Sequence, residues 1–264
     1  MNVQQANVAL TVISFDGYAD IWDTFFICLN RFWKDRLYKT YLITNNAEPF
    51  YENVSVIKTG QEISWSRRTR NALKEIDAEY IILFLEDYLI DSTVDNEKVN
   101  SAIEYMKSND IDFLRIAPIP KLKSGDEFAV QIDKKQLYGV NLQAAVWKKS
   151  YLLRLLGDDD FSAWEFEARQ KFGSPKRIDG KCFATNDYVI HYLNGIIQGK
   201  WYIRTVDAFK SMGIDIPLGD RGLMTDKDMK RENIRNFLSH SLPPRIIRLL
   251  KPLAKKMGMS FVTD

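Results

Sequence analysis

Short continuous apolar runs alternate with stretches of helical periodicity up to about residue 120. Val8-Ala-Leu-Thr-Val-Ile-Ser-Phe15 is apolar and β-branched, which predicts a buried strand broken by Asp16-Gly17. Tyr18 to Lys34 places Ile21, Phe25, Cys28, Leu29 and Phe32 at helical spacing. Lys39 to Thr44 predicts a second strand, stopped by Asn45-Asn46, and Val54 to Ile57 a short third. A helix is expected over Ser64–Ile76, with Ser64 or Ser66 as N-cap. Tyr80-Ile-Ile-Leu-Phe-Leu85 is the most apolar run and predicts a fourth strand. Asn96 to Ser108 reads as a helix and Phe113 to Ala117 as a strand.

Apolar strands separated by helices imply a mostly parallel sheet covered on both faces. Such sheets bind ligands beyond the carboxyl ends of their strands. Three polar clusters follow strand ends here: Asp16, Thr44-Asn45 and Glu86-Asp87. All three are expected on one edge. Beyond residue 120 the pattern loosens. Lys121 to Lys135 reads as a charged hairpin or loop, Leu137 to Trp147 as one or two strands, and Lys149 to Leu156 as a short helix. After a turn at Gly157–Ser162, Ala163 to Phe172 is helical. Val189–Leu193, Gly195–Ile197 and Trp201–Arg204 read as strands joined by tight turns at Asn194-Gly195 and Gly199.

Composition narrows the classes. The 264 residues are 45% hydrophobic and 27% charged, enough for one full-sized core. A formal net charge of +2, with no basic stripe before residue 230, argues against nucleic-acid binding. Two cysteines, Cys28 and Cys182, both in apolar surroundings, are expected to be reduced core residues. With two histidines, a multi-histidine metal site is excluded. The first residues carry no secretory pattern, and no apolar run reaches the ~20 residues of a membrane span. The expected location is the cytoplasm.

Paired carboxylates just past a buried strand are costly unless something cationic meets them. They can hold a divalent metal that bridges phosphates, or accept from a ribose. Phe84-Leu-Glu-Asp-Tyr-Leu-Ile90 resembles the acidic DXD region of GT-A glycosyltransferases. Arg67-Arg-Thr-Arg-Asn-Ala-Leu73 is similar to the Arg-Asn helix leading into that region, and Val12-Ile-Ser-Phe15 with Asp16 resembles the family's first strand. The resemblance spans roughly residues 8 to 205 and is family-2-like, of the bacterial polysaccharide and lipopolysaccharide type. It implies a GT-A-like, Rossmann-like α/β fold with a mostly parallel sheet flanked by helices. It also implies a donor site drawing on Phe15, Asp16, Thr44, Asn45, Arg67, Arg70, Glu86, Asp87 and Tyr88. Tyr88 stands where the family's usual metal-ligating acid falls. Either Asp87 ligates Mn2+ or Mg2+, with His191 as a further donor-site ligand, or the enzyme works without metal. In the second case Arg67, Arg68 or Arg70 would neutralise the leaving diphosphate, a role suited to the guanidinium fork.

Inverting transfer needs a general base for the acceptor hydroxyl. Trp164-Glu-Phe-Glu167 resembles the family's acceptor-side acidic motif, with Glu165 favoured as base and Glu167 the alternative. Residues two apart on a helix point to different sides, so one of them faces the cleft. Asp158 to Asp160 read as turn and capping residues.

The segment Ser241 to Met257 differs from the rest. Ile246, Leu249, Leu250, Leu253 and Met257 share one helical face, with Arg248, Lys251 and Lys255 opposite and Pro252 as a kink. A cationic amphipathic helix suits an anionic membrane surface. The expected organisation is a catalytic domain over 1–235, with a donor half to about 120 and an acceptor half from 121. A basic amphipathic C-terminal helical tail occupies 236–264. The expected function is transfer of a hexosyl unit from a nucleotide-diphosphate sugar to a hydroxyl of a lipid-linked saccharide, with inversion, peripheral on the inner face of the plasma membrane. The competing readings are an inactive membrane-associated saccharide-binding scaffold and a nucleotidyltransferase. The second normally carries a glycine-rich phosphate loop where this chain has Phe15-Asp16-Gly17-Tyr18.

Overall fold

The computed structural model describes residues 7–61, 63–122, 127–133, 139–171 and 180–231. The tail expected over 236–264 lies outside these residues, as do parts of the expected loop at 121–135. The chain falls into two compact units, Met1–Asn194 and Gly195–Asp264.

The first unit is built on an eight-stranded sheet. Strands β1 (Val8–Ile13), β2 (Lys39–Thr44), β3 (Val54–Lys58) and β4 (Tyr80–Leu85) are parallel neighbours in the order β3-β2-β1-β4. Helices α1 (Ala19–Phe32) and α2 (Trp65–Glu75) connect them. β4 leads through the short β5 (Tyr88–Ile90) to α3 (Asn96–Ser108) and β6 (Phe113–Arg115). The sheet continues with β8 (Ala145–Lys148), β6, β9 (Cys182–Thr185) and β7 (Ala129–Gln131). β8 runs antiparallel to both β4 and β6, while β9 is parallel to β6 and β7 antiparallel to β9. Helices α4 (Lys149–Leu156) and α5 (Ala163–Lys171) follow β8. This mostly parallel, Rossmann-like arrangement is the GT-A-like α/β fold expected from the sequence.

Burial explains the order. β1 is buried at every position, and β4 at all but its last, because helices cover both faces. One face holds Ile13, Ile43, Ile81, Leu83, Phe113 and Trp147 against Leu73, Leu152 and Phe166. Each such side chain contributes roughly 1.5–3 kcal/mol when fully buried. Cys28 and Cys182 are both buried thiols, as their surroundings suggested.

Register decides what meets at the edge. Ile13 pairs with Ile43 on one side and Leu85 on the other. The residues that follow, Ser14, Thr44 and Glu86, therefore sit side by side at the carboxyl ends of three adjacent strands. β8 is reversed, so its beginning faces this edge. Ala145 pairs with Leu83 and Arg115, which carries the 139–144 segment to the same side. Arg115 itself is fully buried. It donates to the carbonyls of Ala117 (3.1 Å), Gly139 (3.2 Å) and Pro120 (2.6 Å), tying the two loops that frame the segment. Burial pulls its pKa down to about 10. A two-stranded ribbon of β5 and β10 (Tyr192–Asn194) pairs Tyr192 with Ile90 and Asn194 with Tyr88.

In the second unit, β11 (Ile196–Ile197) and β12 (Lys200–Trp201) form a hairpin. Gln198 and Gly199 make its turn, both with positive φ as a two-residue turn requires. The strand expected over 201–204 stops at Trp201 and gives way to α6 (Ile203–Ser211). Trp201 is fully buried, with Nε1 donating to the Leu218 carbonyl at 3.1 Å.

Candidate functional site

The carboxyl edge between β1 and β4 gathers the chemistry. Trp22 Nε1 donates to Ser14 Oγ at 2.7 Å, and Ser14 in turn hydrogen-bonds the Glu86 carboxyl. Glu86 is buried, and its pKa is pushed up to about 8 by desolvation first and the neighbouring Asp87 charge second. Arg68 opposes that shift. The Arg68 guanidinium lies 5.2 Å over the Phe15 ring, and Nη1 donates to the Ile63 carbonyl at 3.2 Å. Phe15 also packs at 5.0 Å on Tyr18, and a Cβ at Gly17 would collide with its ring.

Asp16 is a clamp. Its carboxylate accepts from the backbone N–H groups of Asn45 (2.9 Å), Asn46 (3.0 Å) and Ala47 (3.1 Å), and its own N–H donates to Asn45 Oδ1 (3.1 Å). Thr44 Oγ1 donates to the Ala47 carbonyl at 2.7 Å, closing the same loop. Asn45 Nδ2 is buried and has no hydrogen-bond partner among the described residues, which leaves one amide donor at this edge. The three polar clusters therefore do meet, with Asp16 and Thr44 shaping the loop.

The arginines separate. Arg67 pairs with Asp160, and Arg70 Nη1 donates to the Gly157 carbonyl at 2.5 Å, so both face the turn before α5. Arg68 is the one whose charge reaches Glu86. Helical spacing carries this signal: Trp65, Arg68, Thr69, Ala72 and Leu73 form the buried face of α2, and Arg67 and Arg70 fall outside it.

The two glutamates of α5 separate as well. Ser162 and Glu165 form a capping box. Glu165 accepts from the Ser162 N–H (2.7 Å) and Oγ (2.9 Å), and the Glu165 N–H donates to Ser162 Oγ (3.2 Å). These bonds lower the Glu165 pKa, and its side chain is exposed. Glu167 points inward. Burial raises its pKa, and Oε1 accepts the Leu142 N–H at 2.9 Å. Tyr88 is buried, stacked on Tyr192 at 4.8 Å, and feels the charges of Asp87, Glu167 and Glu86. Its phenol pKa is raised well above the usual value by burial, so it stays neutral.

His191 meets Asp91 through Nδ1 at 2.6 Å, one step beyond the Ile90–Tyr192 pair of the ribbon. No group of three or more His, Cys, Asp or Glu side chains converges among the described residues. Glu86 and Asp87 are the carboxyls that would hold a divalent ion at this edge. No helix among the described residues is long and apolar enough to cross a membrane. Ser14, Gln143 and Tyr192 are site residues that the sequence pattern did not single out.

Fold and edge together define an α/β protein with a mostly parallel, Rossmann-like sheet. No known family matches the chain, and no curated protein sequence does. Among solved structures it is similar to S. aureus TarS, with 11% identity and a TM-score of 0.49 over 89% of this chain and 44% of that one. The chain thus spans less than half the length of TarS. The TarS 1-349 fragment in complex with UDP-GlcNAc gives 12% identity and a TM-score of 0.48, covering 89% of this chain and 73% of that one. A cytidylyltransferase from Leptospira borgpetersenii serovar Hardjo-bovis gives 12% and 0.47, over 98% and 99%.

Raised in the fold, Glu86 makes stability depend on pH. A carboxyl whose folded pKa is raised from 4.5 to about 8 favours the native state at low pH, and that contribution is lost as pH rises through about 8. Glu86→Gln removes the ionisation penalty. Its melting temperature relative to wild type is expected to rise between pH 5 and 8 in thermal scans; a difference independent of pH would contradict the assignment.

Proposed function

We infer that the chain transfers a hexosyl unit from a nucleotide-diphosphate sugar to a hydroxyl of a saccharide acceptor, with inversion. The observation that carries this reading is two carboxyl settings around Tyr88: Glu86-Asp87 beside Arg68, and desolvated Glu167 on α5, held by the Leu142 N–H. Arg68, Phe15 and Asn45 Nδ2 hold the donor end. The acceptor hydroxyl passes its proton to Glu167 as its oxygen bonds the anomeric carbon. The bond from that carbon to the β-phosphate oxygen breaks, and its electron pair leaves with the nucleoside diphosphate, whose charge Arg68 offsets. Of the two α5 carboxylates, Glu167 suits the base role, because a desolvated carboxylate is the stronger base.

The acceptor is proposed to be lipid-linked, with the basic 241–257 segment on the anionic cytoplasmic leaflet; the support is its composition. Titration calorimetry with UDP-, GDP- and CMP-sugars, with and without Mn2+, tests the donor. Saturable binding without Mn2+ fits this site, whereas no binding to any of them favours a saccharide-binding scaffold. The same protein is expected to co-sediment with phosphatidylglycerol vesicles, and to lose this when 236–264 is removed. Retention would remove the membrane part.

A further inference from the structure

Adjacent residues of the segment before β8 hold a proton acceptor and a proton donor. The Leu142 N–H holds Glu167 Oε1 at 2.9 Å, and the Gln143 side chain holds Tyr88. Asn141 fixes the turn, with Oδ1 accepting the Gln143 N–H at 3.2 Å and Nδ2 donating to the Ile119 carbonyl at 3.2 Å. The remaining bonds have a direction. The Ala144 N–H donates to Tyr192 Oη at 3.3 Å. Tyr192 donates to Gln143 Oε1 at 2.6 Å, and Gln143 Nε2 donates to Tyr88 Oη at 3.3 Å.

The amide cannot be turned round at no cost. Reversed, Nε2 would face Tyr192 Oη at 2.6 Å, short for N–H···O and ordinary for O–H···O. Tyr192 would then accept twice, and its own proton would lose the Gln143 carbonyl. In the observed polarity Tyr88 accepts from Gln143, which leaves the Tyr88 proton pointing away from the amide.

We propose that Tyr88 and Glu167 form a donor–acceptor pair for two neighbouring hydroxyls of a saccharide, and that Gln143 and Tyr192 are the positioning residues that set Tyr88 as the donor. This rests on the reading of Glu167 as the acceptor-side carboxylate. A residue at the third position of the acidic motif thereby acts in acceptor recognition. The occupant is a polyhydroxylated ligand, because one hydroxyl must give a proton to Glu167 while its neighbour takes a hydrogen bond from Tyr88.

The test is binding of methyl glycosides of glucose, galactose, mannose and N-acetylglucosamine to the full chain, read by calorimetry and by tyrosine difference absorbance. Wild type is expected to bind at least one saturably, with a tyrosine difference band. Tyr88→Phe abolishes the band and weakens affinity about tenfold, the size of one lost hydrogen bond. Gln143→Glu is near-isosteric, yet its carboxylate accepts from both phenols and turns the Tyr88 proton inward, so it weakens binding as much as Tyr88→Phe. Gln143→Met leaves that proton available and costs less. A packing role predicts the opposite order, with Gln143→Glu the milder change. That order, an unchanged affinity in Tyr88→Phe, or no saturable glycoside binding in wild type would each overturn the proposal. If Gln143→Glu does not fold, Tyr192→Phe carries the same test, since the freed amide can flip and take the Tyr88 proton; unchanged affinity there also overturns it. Glycoside binding without turnover of any nucleotide sugar would sink the transferase reading and leave this one standing.

Discussion

Glu167→Gln is expected to lower transfer by about 10²- to 10⁴-fold, the usual worth of a positioned general base. Donor affinity should change little if Glu167 has the acceptor-side role proposed for it. Glu165→Gln should keep turnover within a few-fold of wild type. Its cost in stability should be small, because glutamine also completes a capping box. The contrast follows from environment. Both residues lie on one turn of α5, yet Glu165 Oε2 accepts two bonds from Ser162, while half-buried Glu167 accepts the Leu142 N–H through Oε1. Burial raises the Glu167 pKa, so the acid limb of the turnover profile lies above the ordinary carboxylate value of about 4.3. Turnover falls as pH drops through that limb and Glu167 takes up its proton. Rates of donor turnover in the two variants, measured across pH, decide this. A fully active Glu167→Gln with a crippled, well-folded Glu165→Gln would reverse the assignment.

Arg115→Met is expected to destabilise the first unit by about 3 kcal/mol or more. Buried carbonyls that lose a charged donor keep their desolvation cost. Three are affected at once, on Ala117, Pro120 and Gly139. Methionine fills much of the volume, so the loss reports the hydrogen bonds more than a cavity. Urea unfolding should show a lower midpoint with little change in slope. An unfolding free energy within about 0.3 kcal/mol of wild type, from the midpoint and slope, would mean that these carbonyls find other donors.

The long periodic elements were legible. β2, β4, α3 and α4 run over the residues that the apolar pattern marks, because each buries a face continuous in sequence. β5 was not, since three residues carry no period and its partner lies about a hundred positions away. β9 is similarly short. At the second unit, Trp201-Tyr-Ile suits a strand by propensity, yet the chain turns helical at Ile203. The edge of the site was readable from strand ends. The identity of its side chains was less so. Arg68 was distinguishable from Arg67 and Arg70 by helical phase, and Ser162-Ala-Trp-Glu165 carries the capping-box spacing. Gln143 and Tyr192 left no local mark, because their role exists only through contacts distant in sequence.

The β5–β10 ribbon has a consequence for the order in which the protein can become active. Tyr88 leaves the ribosome early, but the residues it pairs with and stacks on, Asn194 and Tyr192, are the last of the first unit to be made. A nascent chain can assemble β1 to β4 and still lack the strand that pins Tyr88. The pairing closes a loop of about a hundred residues, a late and entropically expensive event. Synthesis therefore delivers the β1–β4 edge first and the Tyr88–Tyr192 contact last, so that a chain cut short before Tyr192 holds half of the candidate site.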